Sequence, residues 1–330
     1  MSSLLRFGAL GAALITPRAL VYPCLDEPAA SIYSIAARDR TRAEAFARWH
    51  RIPKVLDSYA EVVTHPKVDA VYNALPITAH REWTLAALKA RKHVLCEKSF
   101  ASNAAEAKEM AEAADDADVV VMDAFHYRYH PIFIRAKEIY ESGELGEVSR
   151  IAGVFHIPVT DPDSIRMKYE LGGGVTMDIG CYPISWVRHI TGLEPELVTA
   201  QAEEGPPNVD VMLKTEQHFA NGVVATTSGD MRAGVTFEAW LEVLGSDATM
   251  RVNNPLVPQN GAAIEIRGSR RDRVETFDRR PTYGYQLDAF LAAVDEGKSL
   301  FTDAWDGYRQ MVVIDRAYEA AGLPVRGLQL

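Results

Sequence analysis

The chain has 330 residues, of which 48% are hydrophobic and 24% charged, and its formal net charge is −10. This is the composition of a soluble globular protein, and the length allows two domains of ordinary size. The negative charge argues against a nucleic-acid-binding protein, which normally carries a basic face, although an acidic chain can still hold an anionic ligand in a local basic pocket.

The first 122 residues alternate short apolar strands with helices, and this alternation predicts βαβ units with a parallel sheet and helices on both its faces. The predicted strands are 4–10 (broken by Gly8), 31–37, 68–75, 93–96 and 119–122. The predicted helices are 12–25, 41–50, 78–90 and a helix that ends at Ala114 after a cap at Ser102 or Asn103. Ligands of such sheets bind beyond the carboxyl ends of the strands.

The pattern changes after about Pro131. A helix over 132–140 is followed by a long strand over 148–157 and by alternating segments that favour a large, open, mainly antiparallel sheet. Those segments are 212–218, 222–228, 237–244 and 263–267, and the closing helices are 285–294 and 304–321. We therefore predict an α/β Rossmann domain over 1–127 and an α+β substrate-binding and oligomerisation domain over 128–330, with the last helices able to pack back on the first domain.

The cysteines and the N-terminal residues indicate in which cellular compartment the protein is expected. Cys24, Cys96 and Cys181 are an odd number without metal-type spacing, which indicates a reducing, cytoplasmic compartment with neither disulfides nor a cysteine zinc site. The apolar run after Arg6 resembles a short secretion signal. It contains two glycines, however, and no small-residue cleavage pattern follows it, so we do not predict a signal peptide. No stretch approaches the ~20 apolar residues that cross a bilayer.

The first predicted strand runs into Gly8-x-x-Gly11-x-Ala13, a partial match to a dinucleotide-binding turn. Gly11 suits a tight turn, and Ala13 is small enough for a pyrophosphate to approach; an ordinary βα turn is the alternative. The first side chain past the second strand is Arg38, with Arg42 one helical turn on, and both suit a 2′-phosphate. This favours NADP(H) over NAD(H), unless these arginines are only solvated charges at a helix capped by Asp39.

Two further segments carry the groups that acid–base chemistry needs beside a hydride transfer. Cys96-Glu97-Lys98 ends an apolar run, and a segment from Gly172 to Tyr182 contains Asp178. A lysine, a tyrosine and an aspartate can move a proton on and off an oxygen while a hydride joins or leaves the adjacent carbon. Taken alone, Lys98 is an ordinary solvated charge and Tyr182 an ordinary packing residue. Asp178 and Tyr182 share a side if the segment is helical, although Pro183 interrupts a regular helix.

Several ordered motifs resemble those of the glucose–fructose oxidoreductase/inositol dehydrogenase/rhizopine catabolism (Gfo/Idh/MocA) oxidoreductases. They are the glycine turn, 70–76 with His80, 93–98, 123–131 and 172–182. The chain looks most like the branch of dimeric dihydrodiol dehydrogenases, NADP-dependent xylose dehydrogenases and glucose–fructose oxidoreductase, which carry tyrosine where inositol dehydrogenases carry histidine.

The resemblance implies roles for individual residues. Tyr182 would be the general acid/base, Lys98 would contact the reacting oxygen and the nicotinamide ribose, and Asp178 would orient the site and keep Lys98 charged. A lysine ammonium nearby favours the phenolate of a tyrosine that normally titrates near 10. The implied substrate-binding residues are Lys98, Phe155, Arg166, Asp178 and Tyr182. The implied cofactor-binding residues are Gly8, Leu10, Gly11, Ala13, Leu14, Ile15, Arg38, Arg42, Leu75, Pro76, His80, Glu97, Lys98 and Arg128.

One position departs from the family pattern: Ser99 stands where proline usually follows Glu-Lys. A cis bond before a residue other than proline costs roughly 2.5–4 kcal/mol, so we expect a trans bond there and a slightly different aim of Lys98. The resemblance also implies that no metal is needed, and that a homodimer or homotetramer forms through the open face of the second sheet.

These observations predict an NADP-dependent oxidoreductase. It would transfer a hydride between nicotinamide C4 and a secondary alcohol, carbonyl or hemiacetal carbon of a sugar or related cyclic polyol or diol. Aldoses, anhydrosugars, dihydrodiols and semialdehyde hemiacetals all remain open as substrates. The alternatives are an NAD(P)-dependent glycosidase with transient oxidation and a non-catalytic NADP-binding sensor. No nucleic-acid or membrane partner is expected.

Overall fold

A computed structural model describes residues 4–268 and 272–327. The chain divides into two compact units. The first contains Met1–His126 and Tyr283–Tyr308, and the second contains the remainder. The backbone therefore passes from one unit to the other after His126, Thr282 and Tyr308.

The first unit is built on a six-stranded parallel sheet in the order β3-β2-β1-β4-β5-β6. Its strands are β1 (Leu5–Leu10), β2 (Ala30–Ala36), β3 (Lys54–Val55), β4 (Ala70–Asn73), β5 (His93–Cys96) and β6 (Val121–Asp123). Its helices are α1 (Tyr22–Asp26, preceded by a π-helical turn over Pro17–Val21), α2 (Arg40–His50), α3 (Tyr59–Thr64), α4 (His80–Lys89, preceded by a 3₁₀ turn over Ile77–Ala79), α5 (Ala104–Ala117) and α8 (Thr282–Glu296). The parallel sheet predicted for this part of the chain is confirmed.

Strand β1 is continuous through Gly8, so the break predicted there is wrong. The register with β2 shifts between Phe7 and Gly8, and the strand continues beyond the bulge. A Cβ atom at Gly8 would lie 2.5 Å from Val62 Cγ1, so the glycine lets helix α3 pack closely on the strand. Of the two predicted caps for helix α5, Ser102 and Asn103, the structure shows Asn103, because its Oδ1 accepts the Glu106 N–H at 3.0 Å.

The second unit is built on an eight-stranded sheet in the order β14-β13-β12-β11-β7-β10-β9-β8. Among the strand pairs of the described residues only β7–β10 is parallel, so the mainly antiparallel sheet is confirmed. The strands are β7 (Val148–His156), β8 (Leu197–Glu204), β9 (Asp210–His218), β10 (Val224–Asp230), β11 (Glu238–Gly245), β12 (Ala248–Asn253), β13 (Ala263–Gly268) and β14 (Arg273–Thr276). The helices are α6 (Pro131–Glu141), α7 (Cys181–Thr191) and α9 (Ala304–Ala320, which begins in the first unit).

Helix α7 lies against the centre of this sheet. The buried side of β7 carries Ile151, Gly153 and Phe155 in alternation. Gly153 lies under the helix, because a Cβ atom there would be 3.1 Å from the Cβ atom of Pro183. All eleven positions of α7 except the last are buried, so the helix is a core element that holds its side chains in defined places.

Within 4–268 and 272–327, no helix combines the length and apolar character that a bilayer crossing requires. The same residues contain no group of three histidine, cysteine, aspartate or glutamate side chains placed to hold a metal ion.

Candidate active site

The glycine turn after β1 lies at the carboxyl end of the parallel sheet. Gly11 has φ +85°, which favours glycine, and its N–H donates to the Ala36 carbonyl at 2.8 Å. A Cβ atom at Gly11 would meet Leu75 Cδ2 at 3.1 Å, so the turn also packs on the end of β4. Leu10 is fully buried below the turn, whereas Leu14 is 93% exposed at its tip.

Arg42 lies at this turn, and Arg38 lies on the surface nearby. The Arg42 Nη2 donates to the Ala12 carbonyl at 2.7 Å, and the Arg42 N–H is accepted by Asp39, which caps α2. The turn also contains Thr16, whose buried Oγ1 has no hydrogen-bond partner among the described residues. A buried hydroxyl without a partner and a guanidinium beside the turn suit an anionic group at the start of a helix.

Glu97, at the end of β5, is held inside the first unit by a residue that sequence reasoning missed. The Tyr72 hydroxyl donates to Glu97 Oε1 at 2.7 Å, and both side chains are buried. Burial raises the pKa of the Glu97 carboxyl, while the Tyr72 hydrogen bond and the Lys98 charge act in the opposite direction. Tyr72 lies in a strand whose four residues are all buried, and nothing in its local pattern distinguishes it from an ordinary core tyrosine.

The peptide bond between Lys98 and Ser99 is cis, so the trans bond expected from the missing proline is wrong. Ser99 is fully buried, and its carbonyl oxygen lies 2.9 Å from His80 Nδ1. The expectation of a trans bond considered only the residue type after Lys98, and it did not include these tertiary contacts of Ser99.

His80 is fully buried in the first unit. Its Nε2 lies 2.9 Å from the Leu75 carbonyl, so the imidazole joins the segment that contains Pro76 to the segment that contains Lys98. Burial lowers the pKa of His80 to about 4. Asn73 supports this arrangement through Nδ2, which donates to the His80 carbonyl at 3.2 Å.

In the second unit, Asp178 and Tyr182 lie on one helical segment. The backbone is π-helical over Thr176–Gly180 and continues as α7, so Pro183 lies just after the change in hydrogen-bond register. The Tyr182 ring packs edge-on against Phe155, with the ring centroids 5.6 Å apart, and only 7% of the residue is exposed. The sequence-predicted residues Phe155 and Tyr182 are therefore in contact.

Asp178 forms an ion pair with Arg166, which was predicted to face the substrate. The Arg166 Nε donates to Asp178 Oδ2 from a 3₁₀ turn over Ile165–Met167, and the Asp178 charge raises the pKa of the guanidinium. Arg128, a predicted cofactor-binding residue, contacts the core of the second unit, where its Nε donates to His189 Nδ1 at 3.2 Å. Burial, together with the Arg128 charge, lowers the pKa of His189.

A six-stranded parallel sheet with a glycine turn at its carboxyl end, followed by a second unit built on a mainly antiparallel sheet, is typical of Rossmann-type oxidoreductases. Comparison with known families agrees. Residues 5–125 match the model described as "Oxidoreductase family, NAD-binding Rossmann fold", and residues 133–251 match the GFO/IDH/MocA C-terminal domain. The chain belongs to the Gfo/Idh/MocA oxidoreductase family.

Individual relatives are similar over much or all of the chain. D-xylose 1-dehydrogenase (NADP(+)) 2 of Haloferax volcanii is 32% identical over 318 residues, which are 96% of this chain and 97% of the relative. Trans-1,2-dihydrobenzene-1,2-diol dehydrogenase of Xenopus laevis is 37% identical over 62% of each chain. Among solved structures, the 3-ketoreductase KijD10 of Actinomadura kijaniata, in complex with NADP and TDP-benzene, has a TM-score of 0.86 at 26% identity and covers 94% of this chain and 96% of its own.

Proposed function

We propose that this protein is an NADP(H)-dependent dehydrogenase or reductase acting on a secondary alcohol, carbonyl or hemiacetal carbon of a sugar or related cyclic diol. The observation that carries the proposal is Tyr182, held against Phe155 on the helical segment that also presents Asp178. Relatives named for D-xylose and for dihydrobenzenediol support this substrate class.

The glycine turn, Arg38, Arg42, Leu75 and Pro76 would hold the dinucleotide, which supplies or accepts the hydride when bound. Gly11 keeps the backbone clear of side-chain bulk, and Arg42 is already directed toward the turn by its bond to the Ala12 carbonyl. A guanidinium forms strong paired hydrogen bonds with a phosphate. Relatives named or solved with NADP support the preference for NADP(H).

Tyr182 is the proposed general acid/base. Its hydroxyl donates a proton to the substrate oxygen in the reductive direction, and its phenolate takes the proton from the substrate hydroxyl in the oxidative direction. Lys98 assists, because an ammonium group stabilises a phenolate and a developing alkoxide. Phe155 packs on the Tyr182 ring and limits the conformations from which the hydroxyl can react.

Arg166 and Asp178 are proposed to bind the substrate as a pair. Arg166 is exposed, and its guanidinium is oriented by the Asp178 carboxylate. A guanidinium held in this way offers its remaining N–H donors to hydroxyl or anionic oxygens of a sugar.

The test is anaerobic absorbance of reduced nicotinamide with NADP or NAD and a panel of aldoses, anhydrosugars and dihydrodiols. We expect net reduction with one class. Loss of general acid/base catalysis in Tyr182→Phe is expected to lower kcat by roughly 10²–10⁴-fold. Tyr140→Phe, a change in the same unit outside the proposed site, is the matched control and is expected to leave kcat within about twofold. Lys98→Ala is expected to lower kcat as well.

Other outcomes identify the rival functions. If the cofactor binds and a glycoside is cleaved without net reduction, the protein is a glycosidase with transient oxidation. If the cofactor binds and no compound is converted, the sensor interpretation replaces the enzyme.

A further inference from the structure

The second unit contains a fully buried ion pair whose two residues lie outside the sequence motifs. Asp210 begins β9, and Arg326 lies in the tail that follows α9. The Arg326 Nη2 lies 2.6 Å from Asp210 Oδ1, and neither side chain has any exposed surface. The Tyr318 hydroxyl, from α9, donates to the same oxygen at 3.1 Å. A buried ion pair is tolerated only when its remaining donors and acceptors are satisfied.

Those remaining groups hold the glycine-rich segment. Asp210 Oδ2 accepts from the Thr176 N–H at 2.8 Å and from the Thr176 hydroxyl at 2.6 Å. The Arg326 Nε donates to the Gly173 carbonyl at 2.9 Å. We call Asp210, Arg326, Tyr318 and Thr176 the carboxylate clamp. A Cβ atom at Gly174 would lie 2.2 Å from Asp210 Oδ1, so the backbone itself rests on the clamp.

The clamp lies at the start of the helical segment that presents the proposed acid/base. Thr176 is the first residue of the π-helical turn that contains Asp178, and the same segment continues to Tyr182. A second contact from α9 holds the far end of this turn: the Gln310 Nε2 donates to the Cys181 carbonyl at 2.9 Å. Gln310 is itself fixed by Arg188, whose Nη1 donates to Gln310 Oε1 at 2.9 Å.

We propose that the carboxylate clamp positions the π-helical turn for proton transfer, and that Arg326 is a positioning residue for Tyr182 and Asp178. The proposal rests on the proposed function of Tyr182. The hydrogen-bond register changes from π-helical to α-helical just before Pro183, which has no N–H to donate, so partners outside the helix help to set the path of the turn. A displacement of about 1 Å in a reacting group can lower a rate by about 10²-fold, which is why such anchoring matters.

The test compares two clamp variants with one control. Arg326→Lys keeps the charge but removes the planar set of donors, and Thr176→Val removes one hydroxyl at nearly constant volume. Thr227→Val is the matched control, because the Thr227 hydroxyl forms its buried 2.6 Å bond with Thr215 of the neighbouring strand and is not part of the carboxylate clamp. Each protein is assayed as the full chain for kcat, the KM for NADP, and the pH dependence of kcat.

We expect both clamp variants to lower kcat by about tenfold or more, to leave the KM for NADP within about twofold, and to shift the pH profile of kcat. Thr176→Ser, which keeps the hydroxyl, is expected to restore most of the rate. The control is expected to lose stability without this change in kcat. The proposal would be overturned if kcat fell in proportion to stability in the clamp variants and the control alike. It would also be overturned if the clamp variants kept the wild-type rate and pH profile.

Hydrogen exchange of the full-length protein separates this proposal from the proposed function. Amides in a peptide covering residues 175–183 are expected to exchange at least tenfold faster in Arg326→Lys and Thr176→Val than in the wild type and in Thr227→Val. If the clamp variants exchange faster but the wild-type protein converts no substrate, the anchoring role is supported and only the proposed function is contradicted. Unchanged exchange would overturn the clamp even if the enzyme is active.

Discussion

Arg42 connects the cofactor-binding turn with the question of NADP against NAD. Its Nη2 is bonded to the Ala12 carbonyl, so its guanidinium lies at the turn. Loss of a charge-assisted hydrogen bond costs about 1.5–3 kcal/mol, and we therefore expect Arg42→Ala to raise the KM for NADP by roughly 10–100-fold. The KM for NAD is expected to change less than threefold.

Arg40→Ala is the control for this measurement, because Arg40 belongs to the same helix but pairs at the surface with Glu44 of that helix and with Asp57 beyond β3. Steady-state kinetics measure the KM for NADP and the KM for NAD of each variant. Equal changes in both KM values, or an Arg40 variant with the same effect, would contradict recognition of the 2′-phosphate by Arg42.

His80 gives the stability a defined pH dependence. Burial lowers its pKa from 6.5 to about 4, so the folded protein keeps the imidazole neutral while the unfolded chain binds a proton below about pH 6.5. The unfolded state then binds more protons, and this contribution to stability, of about 3 kcal/mol, is lost as the pH falls from about 6.5 to 4.

The measurement is urea unfolding of the wild type and His80→Asn between pH 7.5 and 4. We expect the variant to be less stable at pH 7.5 but to lose about 3 kcal/mol less on acidification. Parallel pH curves for the two proteins would show that folding does not lower the pKa of His80.

At the scale of elements, the path of the segment before α7 depends on backbone that only glycine adopts. Gly174 has φ +134°, and a Cβ atom there would also clash with Asp210 Oδ1. We expect Gly174→Ala to lower the free energy of unfolding by more than about 3 kcal/mol, combining strained backbone with overpacking.

Gly222→Ala separates these two causes, since Gly222 has φ +83° with open space around its Cα. Its expected cost is about 1–2 kcal/mol. Denaturant unfolding of both variants provides the comparison, and equal losses would mean that the contact with Asp210 adds nothing.

Most elements could be predicted from local pattern. Strand β5 was placed correctly at His93–Cys96, and most of the other predicted strands and helices lie within two or three residues of their observed bounds. Short or weakly patterned elements were missed, such as β3 (Lys54–Val55), α3 (Tyr59–Thr64) and β14 (Arg273–Thr276). These elements owe their structure to neighbours already in place, because so few residues give no clear periodicity.

At the scale of the whole molecule, the first unit is completed by a helix from late in the chain. Phe290 of α8 is fully buried, and its ring centroid lies 5.6 Å from that of Phe7 in β1. We expect Phe290→Ala to lower the free energy of unfolding by about 3–5 kcal/mol.

Phe301→Ala is the control, since Phe301 belongs to the same unit but is 48% exposed, and its expected cost is below about 1 kcal/mol. Denaturant unfolding followed by circular dichroism measures both. A Phe290 variant as stable as the control would mean that α8 contributes little to the first unit.

The sequence by itself determined the class of each half, the glycine turn, and the residue types that hydride-transfer chemistry needs. These features follow from local sequence patterns, namely the periodicity of apolar residues, the residues typical of turns, and the polar side chains at the ends of strands. Only the tertiary structure decided the cis bond after Lys98, the Tyr72–Glu97 contact, and the clamp that joins Asp210 to Arg326. Asp210 and Arg326 are separated by 116 residues, and no local pattern records which buried polar groups will meet across that distance.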